Sequence, residues 1–471
     1  MSEYAREEIL KLIEEKGGPE GLDLSGKDLS GIDLSRKKIA VELEKARKKT
    51  PGETPVWYKW TGGINLEGAN LQKADLRSVK LQGADLYLAN LQEAILWGAN
   101  LREADVAGAN LRGASLEAAK LQRAFLGGAD LQGAHLRGAD LRGAILYLAN
   151  LQEADLRGAK LQGALLREAD LRGANLQGAK LQNANLLVAK LQKANLGNAK
   201  LQGANLRLSN LQGSDLGAAD FQGATLVSAK LQGASVRCAN LEGALLSYSH
   251  LEKVDLFGAK SLEGAYFYNA FLDDTRMRRE QLGKAIGEEL EGRYDKAKEA
   301  YLALKNNFAE IGRYRDESWA YVKERQMGKK MNHPRLARKF YGEELPENPD
   351  AWRLWRFYLR HTAKWALHRI EEWACGYGES IPKTLRAMGV ALVGFAILYR
   401  LLGAVVDANG NPSSSCLHCL LYSGGAFTTF GVDTLRPAND WIRALSIFES
   451  VVGIALTGLL GFVLGNRIRR S

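Results

Sequence analysis

The most regular feature of the chain is a leucine at every fifth position between residues 66 and 256. Of the 39 positions in this series 36 are leucine, and the residue two places earlier is alanine in 33 cases. Neither a helix of about 3.6 residues per turn nor a strand of period about 2 produces this spacing. A repeat of fixed length indicates a solenoid, and five residues per side suits a four-sided parallel β-coil. Leucine would form its core, alanine its inner corners, and the other three positions would face water.

The repeat units also carry a family resemblance. Units such as Ala-Asp-Leu-Arg-Gly and Ala-Asn-Leu-Gln-Gly resemble the pentapeptide-repeat family, which forms right-handed quadrilateral β-helices. The resemblance implies four repeats per coil and about ten coils, hence a rod of roughly 45 to 50 Å. Residues 20 apart then share a face, and one column contains Lys80, Lys120, Lys160, Lys180 and Lys200. That column is either a solvated basic ladder or a contact for anions or lipid headgroups.

Two long apolar segments near the C-terminal end predict membrane spans. Residues 387–406 and 444–464 are 20 and 21 residues long and carry only Arg400 and Glu449 as charges. At about 1.5 Å per residue, each crosses a hydrocarbon core of roughly 30 Å. Between them, residues 416–427 predict a short helix that leads into non-helical backbone from Thr428. Such backbone is tolerated in a membrane only where it lines a protein-enclosed or watery path, so the arrangement indicates a pore.

The loop after this short helix resembles a potassium-channel filter. The helix, loop, helix order and the string Thr428-Thr429-Phe430-Gly431 are similar to the two-transmembrane potassium-channel superfamily, whose filter reads Thr, Thr, aliphatic, Gly, Tyr or Phe, Gly, Asp. Here Val432 stands at the aromatic position, and Asp433 either replaces the second glycine or follows a one-residue deletion. The resemblance implies a homotetramer in which oxygen atoms of residues 428–433 replace the water around a monovalent cation, with K⁺ and Na⁺ both open.

Three residues within the spans carry further expectations. Arg400 and Glu449 lie about 9 and 12 Å from the outer ends of the predicted spans. We expect them to pair, within or between subunits, because a lone charge there is costly; the alternative is that Arg400 reaches outward and Glu449 is protonated or faces water. The channel resemblance places Gly453 at an inner-helix hinge, against the alternative of simple close packing.

The predicted fold class is multidomain. Residues 1–63 predict an N-terminal cap with short first repeats and a helical insert at 37–49, and residues 64–272 the quadrilateral β-helix. Residues 273–345 predict an α-helical hairpin that resembles one tetratricopeptide-like unit, residues 346–379 a linker with an interfacial helix, and residues 380–471 the two-transmembrane pore-loop domain. Four tryptophans among basic residues at 351–373 favour the membrane interface; a packed cytoplasmic helix is the alternative.

The net charge of +10 is concentrated beside the predicted spans. Seven lysines and arginines lie between residues 352 and 386, and Arg467, Arg469 and Arg470 follow the second span. Because cytoplasmic flanks of membrane spans are enriched in basic residues, both termini are expected inside the cell. We therefore expect a multi-pass protein of the plasma (inner) membrane of a bacterium.

Other chemistries find little support in the sequence. Residues 64–262 carry 22 basic against 18 acidic residues, which disfavours imitation of DNA and a nucleic-acid partner. Cys416-Leu-His-Cys419 offers at most three metal ligands where structural zinc takes four. With no nucleophile elbow or phosphate loop, we expect no enzyme activity, metal or cofactor.

The partners expected are further copies of the chain, the lipid bilayer and an unknown cytoplasmic ligand or protein that binds the repeats. The repeats would serve sensing, gating or tethering. A non-conducting, membrane-anchored scaffold or interaction protein is the alternative function. The missing second filter glycine favours it, whereas the retained Thr428, Thr429 and Gly431 favour a pore.

Overall fold

The chain divides into two compact units, Met1–Ile311 and Gly312–Ser471. A computed structural model describes residues 6–16, 22–34, 64–345, 349–407, 411–413, 415–429 and 435–469, apart from the side chains at 344, 466, 467 and 469. The helix predicted at 37–49 lies outside these residues. The division falls inside the predicted hairpin segment, so its two helices belong to different units. The hairpin and the predicted domain boundaries stay predictions.

The first unit is a β-coil in which each turn takes 20 residues. Parallel bridges join Lys160 to Lys180 and Lys180 to Lys200, and the same spacing recurs along the coil. Between turns, the Leu161 N–H donates to the carbonyl oxygen of Lys180 over 2.7 Å, and the Lys180 N–H donates to that of Ala159 over 2.9 Å. The lysines predicted to share a column therefore do so.

Two interruptions shift this register without ending the coil. Asp23 bridges Asn70, so the first described repeats, residues 22–34, join the ladder with a separation of 47 residues instead of 20. Near the other end, a 3₁₀ turn at Leu256–Gly258 adds one residue, and Asn240 bridges Ser261 instead of the residue 20 onward. Helix α1 (Arg6–Glu15) precedes the coil and buries Ile9, Leu10 and Ile13.

The core of the coil is the predicted leucine and alanine stack. Leucines such as Leu161 and alanines such as Ala164 have almost no exposed surface, which confirms the prediction. Nearly every repeat ends in a corner residue with left-handed backbone, for example Gly163 at φ +66° and Glu168 at φ +59°. Glycine adopts this region without strain, which explains why it is the residue most often found there.

Helices close the end of the coil. A 3₁₀ turn (Arg279–Leu282) and helices α2 (Gly287–Leu290) and α3 (Tyr294–Glu310) follow the last bridge, and α3 buries the side chains of Ala297, Tyr301, Leu304 and Phe308. The Asn307 side chain accepts from the Thr275 N–H (3.0 Å) and donates to the Thr275 carbonyl oxygen (2.8 Å). Side-chain amides thus complete hydrogen bonds that the next turn of a coil would supply.

The second unit is helical. Its elements in order are α4 (Tyr314–Met331), α5 (Ala337–Tyr341), a 3₁₀ turn (Gly342–Glu344), α6 (Ala351–Cys375), α7 (Ile381–Leu401), β1 (Val405–Val406), α8 (Cys416–Thr428), β2 (Arg436–Pro437) and α9 (Asp440–Arg469). Strands β1 and β2 pair antiparallel, with Val405 opposite Pro437. They join the two ends of the segment that contains α8.

Helix α6, predicted to lie in the membrane interface, has two distinct sides. On one side α4 packs against it through ion pairs between Arg325 and Glu371 (2.6 Å) and between Lys329 and Glu372. Its other side exposes Trp352, Trp355 and Trp373. Packing against a helix and an exposed aromatic side therefore occur together, and membrane contact by the tryptophans stays a prediction.

Candidate pore site

Two helices of the second unit are long and apolar enough to cross a membrane: α7, and residues Asp440–Gly465 of α9. Both expose large apolar side chains, among them Leu401 and Ile454. The first helix runs from 381 to 401 rather than over the predicted 387–406, because the chain turns at Gly403 (φ +57°) and continues as β1. Arg400 therefore lies in the last turn of α7, at its very end.

The short helix between the spans is α8, which confirms the helix expected at 416–427. At its C-terminal end the Thr428 hydroxyl donates to the carbonyl oxygen of Gly424 (2.7 Å). Thr429 follows with left-handed backbone, φ +66°, so the chain leaves the helix at this residue. Phe430, Gly431, Val432 and Asp433 lie outside the described residues, and their filter role stays a prediction.

Helix α9 contacts the last turn of α8 through small residues. The Ser450 hydroxyl lies 2.7 Å from the carbonyl oxygen of Ala426 and 2.9 Å from that of Ser446. One turn further along, a Cβ atom at Gly453 would stand 2.0 Å from the carbonyl oxygen of Phe427. Gly453 therefore permits a backbone contact that any side chain would prevent.

Glu449 joins all three helices of this unit's apolar part. Its side chain is fully buried, and the Tyr399 hydroxyl of α7 donates to its Oε2 over 2.7 Å. Its Oε1 accepts from the hydroxyl of Ser423 of α8, which also lies 2.9 Å from the carbonyl oxygen of Leu392. Because a buried carboxyl is stable only with hydrogen-bond partners, this cluster fixes the positions of α7, α8 and α9 relative to one another.

The structure does not bring Arg400 and Glu449 together within one chain. Among the described residues, the partners of Glu449 are the two hydroxyl groups, whereas the Arg400 guanidinium contacts the sulfur of Cys416. Arg400 lies one residue from the end of α7, but Glu449 lies about 13 Å along α9 from its start. We expected Arg400 and Glu449 at similar depth because the first span was predicted to continue to residue 406, whereas α7 ends at Leu401. Pairing between subunits stays a prediction.

An apolar cluster lies beside this site, next to strands β1 and β2. Tyr399 and Tyr422 meet edge to face with centroids 5.1 Å apart, and Val405, Cys419 and Leu435 are buried beside them. Among the described residues no group of three or more His, Cys, Asp or Glu side chains could hold a metal. The ring of His418 instead has its Nδ1 2.7 Å from the hydroxyl oxygen of Ser413.

The sequence-based site omitted Tyr399, Ser423 and Ser450. Two signals could have found them. Ser446, Ser450 and Gly453 form a small-residue stripe on one side of α9, the usual sign of close helix packing in membranes. A buried carboxyl also requires donors, and a hydroxyl within an apolar span is a natural candidate.

Comparison with known proteins identifies two families in the chain. The model for pentapeptide repeats matches in eight copies, over residues 69–108, 84–117, 109–146, 149–186, 189–226 and 226–260. A second model, described as an ion channel, matches residues 388–470. No curated protein matches at a significant level.

Solved structures similar to the chain include pentapeptide repeat proteins. HetL, a pentapeptide repeat protein involved in heterocyst differentiation regulation from the cyanobacterium Nostoc sp. strain PCC 7120, is 32% identical over 56% of this chain and 97% of its own, with a TM-score of 0.37. Another pentapeptide repeat protein from Nostoc is 48% identical over 18% of this chain and 69% of its own (TM-score 0.17). QnrB1, a plasmid-mediated fluoroquinolone resistance protein, is 16% identical over 57% and 98% (TM-score 0.21).

Proposed function

Because the chain is a pentapeptide-repeat protein with an ion channel domain at its C-terminal end, we propose that it forms a cation channel with four copies around one pore. The observation that carries this proposal is the arrangement of the matched region. Two spanning-length helices enclose a short helix that ends at Thr428, directly before the filter-like string. One loop per chain cannot enclose an ion, so several chains must contribute.

The direction of α8 supports a preference for cations. A helix carries a partial negative charge at its C-terminal end, which here is the end beside Thr428 and Thr429. Four such ends around an axis would stabilise a cation that has lost its water. The carbonyl oxygens of Phe430, Gly431 and Val432, with the carboxylate of Asp433, would supply ligands of the kind that replace a hydration shell.

The repeats are proposed to form a right-handed quadrilateral rod on the cytoplasmic side of a bacterial inner membrane. The basic residues that flank both spans support this orientation, with both termini inside. A rod attached to each subunit could sense a cytoplasmic ligand, gate the pore or tether it. The helical hairpin of residues 273–345 would connect rod and pore.

Gly453 is proposed to serve as hinge and contact together. If α9 bends at this residue, its backbone must move relative to the Phe427 carbonyl group that it touches. Movement of the inner helix would then displace the end of α8 that precedes the filter. The proposed partner of Arg400 is Glu449 of another subunit, which would require the hydrogen bonds of Glu449 to rearrange during gating.

A non-conducting scaffold is the second candidate, and Val432 and Asp433 favour it because they replace residues of the filter motif. Flux from liposomes separates the two. Purified protein in liposomes loaded with K⁺ should release it when the charge is balanced by a protonophore. The Gly431→Ala variant should release none while keeping the mass of a tetramer. A wild-type tetramer that releases neither K⁺ nor Na⁺ would support the scaffold.

A further inference from the structure

One side of the coil differs from the other three in its outward residues. The bridges align residues 85, 105, 125 and 145, and so on to 245, in one column, and the corner residues two and three places later accompany them. We call this side, formed by every fourth repeat, the apolar side. It exposes aromatic and aliphatic groups along most of the coil, including Tyr87, Leu88, Tyr147, Leu148, Leu208 and Tyr248.

Most of the exposed large apolar side chains of the coil lie on the apolar side. Of the ten large apolar side chains exposed between residues 64 and 256, eight belong to the apolar side, and the other two, Ile95 and Trp97, lie together in one repeat of the opposite side. Side chains in neighbouring turns of the apolar side contact each other: the rings of Phe125 and Tyr147 meet edge to face with their centroids 5.6 Å apart. The two remaining sides carry mostly Gln, Arg, Lys, Asn and Asp.

The dimensions indicate how strongly this side can bind. Eight turns of about 4.8 Å from Tyr87 to Tyr248, with a side about 10 Å wide, give roughly 400 Å². Arg167, Glu168 and Asn185 lie among the apolar groups, so the apolar part is smaller still. The whole side is about half of the roughly 800 Å² that each partner buries in a stable interface. Two rods would therefore pair weakly in free solution and firmly when a shared pore holds them at millimolar effective concentration.

We propose that the apolar side binds the same side of a second copy of this chain. The proposal rests on the proposed tetrameric pore, which supplies the second copy. A ring of four equivalent rods needs two different complementary faces on each rod, whereas a single self-complementary face forms a two-fold pair. The rods therefore associate as two pairs, and the four-fold arrangement of the pore does not extend into them.

The experiment places a photo-crosslinking amino acid in the full-length membrane protein. Leu208 on the apolar side and Ala218 on the opposite side form a matched pair: both are exposed corner residues with left-handed backbone, ten residues and half a turn apart. The pairing we propose is parallel, because the C-terminal end of every coil is linked to the pore region. The probe at 208 should therefore link two chains in most molecules. The probe at 218 should link few, and no ladder beyond two chains should appear.

The mass of the solubilised protein separates this inference from the proposed function. A monomer would overturn both. A tetramer with no link at 208, or with equal links at 208 and 218 that extend to four chains, would overturn only the pairing. A second experiment places the probe at position 248 and adds the substitutions Leu148→Gln and Leu208→Gln. These substitutions should lower the yield of crosslinked dimer several-fold while the tetramer persists. An unchanged yield would also contradict the pairing.

Discussion

The coil and the pore region are stabilised in different ways. In the coil the same contact is repeated: the N–H groups of Leu161 and Leu181 donate to carbonyl oxygens 19 residues onward, each over 2.7 Å. In the pore region the contacts that position α8 each occur once, at Glu449, Ser450 and Gly453. Stability in a repeat array is close to a sum over similar neighbours. A unique buried contact has no such substitute, so the two regions should differ sharply in their tolerance of change.

The largest effect is expected from one methyl group at Gly453. In Gly453→Ala the Cβ atom would meet the Phe427 carbonyl oxygen at 2.0 Å, and neither backbone can yield cheaply. Such overpacking should cost more than about 3 kcal/mol and remove most of the assembled channel. The yield of tetramer on size-exclusion chromatography measures it.

Gly458 provides the matched control, because in the described chain an added Cβ there meets no atom within 4 Å. Gly458→Ala should assemble normally. If Gly453→Ala also assembles fully and alters only the open probability, the contact with α8 is unimportant and Gly453 acts as a free hinge.

Loss of the Glu449 carboxyl should have the next largest effect. Glu449→Ala leaves the Tyr399 hydroxyl without its acceptor, at roughly 1–3 kcal/mol, whereas the Ser423 hydroxyl keeps the Leu392 carbonyl oxygen as a partner. Glu449→Gln keeps one acceptor oxygen and should lose less than half as much. Thermal unfolding in detergent compares them.

Arg400→Gln tests the alternative partner. Since Arg400 contacts Cys416 at an exposed position, its substitution should change stability by less than about 0.5 kcal/mol. Rescue of Glu449→Gln by Arg400→Gln would show instead that the two charges pair between subunits.

Glu288 offers a pH-dependent effect where the regular ladder ends. Burial raises the pKa of its carboxyl from 4.5 to about 7, although its Oε1 accepts from the Tyr268 N–H over 2.6 Å. The folded state holds this proton more tightly than the unfolded state. Stability should therefore fall as the pH rises from about 4.5 to about 7, by up to about 3 kcal/mol, and stay low above that.

Glu288→Gln should remove this part of the pH dependence and make the protein more stable than the wild type at pH 8. Unfolding temperatures across the pH range provide the comparison. If the unfolding temperature depends on pH equally in both proteins, the ionised Glu288 carboxylate does not destabilise the end of the coil.

Only a small effect is expected from the largest deletion. Removing residues 151–170 takes out one full turn and joins Asn150 to Leu171, so every column and the core pattern continue. The unfolding temperature should fall by no more than about 4 °C, and the tetramer should persist. Removing only 151–168 leaves Leu171 seven places after Leu146 instead of five, which interrupts the core pattern and should lower the unfolding temperature much further. A similar outcome for both deletions would contradict additive stability of the turns.

The sequence predicts the coil better than the pore region, again because contacts in the coil repeat whereas those in the pore region occur once. A period of five placed Leu161 and Ala164 inside, since every turn repeats the same environment. Helix α8 was also predictable, as a short apolar run between two spans. The partners of Glu449 were not, because Tyr399 is 50 residues away and their contact depends on the depth and rotation of two helices. Tyr399 is buried while its neighbour Arg400 is exposed, because successive residues of a helix point about 100° apart. A small error in the rotation of the helix therefore exchanges the two.

The most direct test of the central claim, that the second unit builds a cation pore, is the reversal potential in a planar bilayer. With unequal KCl on the two sides, the wild-type current should reverse near the K⁺ equilibrium potential and far from that of Cl⁻. Replacing K⁺ by Na⁺ on one side then measures how well residues 430–433 distinguish the two ions. A current that reverses at the Cl⁻ potential, or no current from an intact tetramer, would contradict the cation pore.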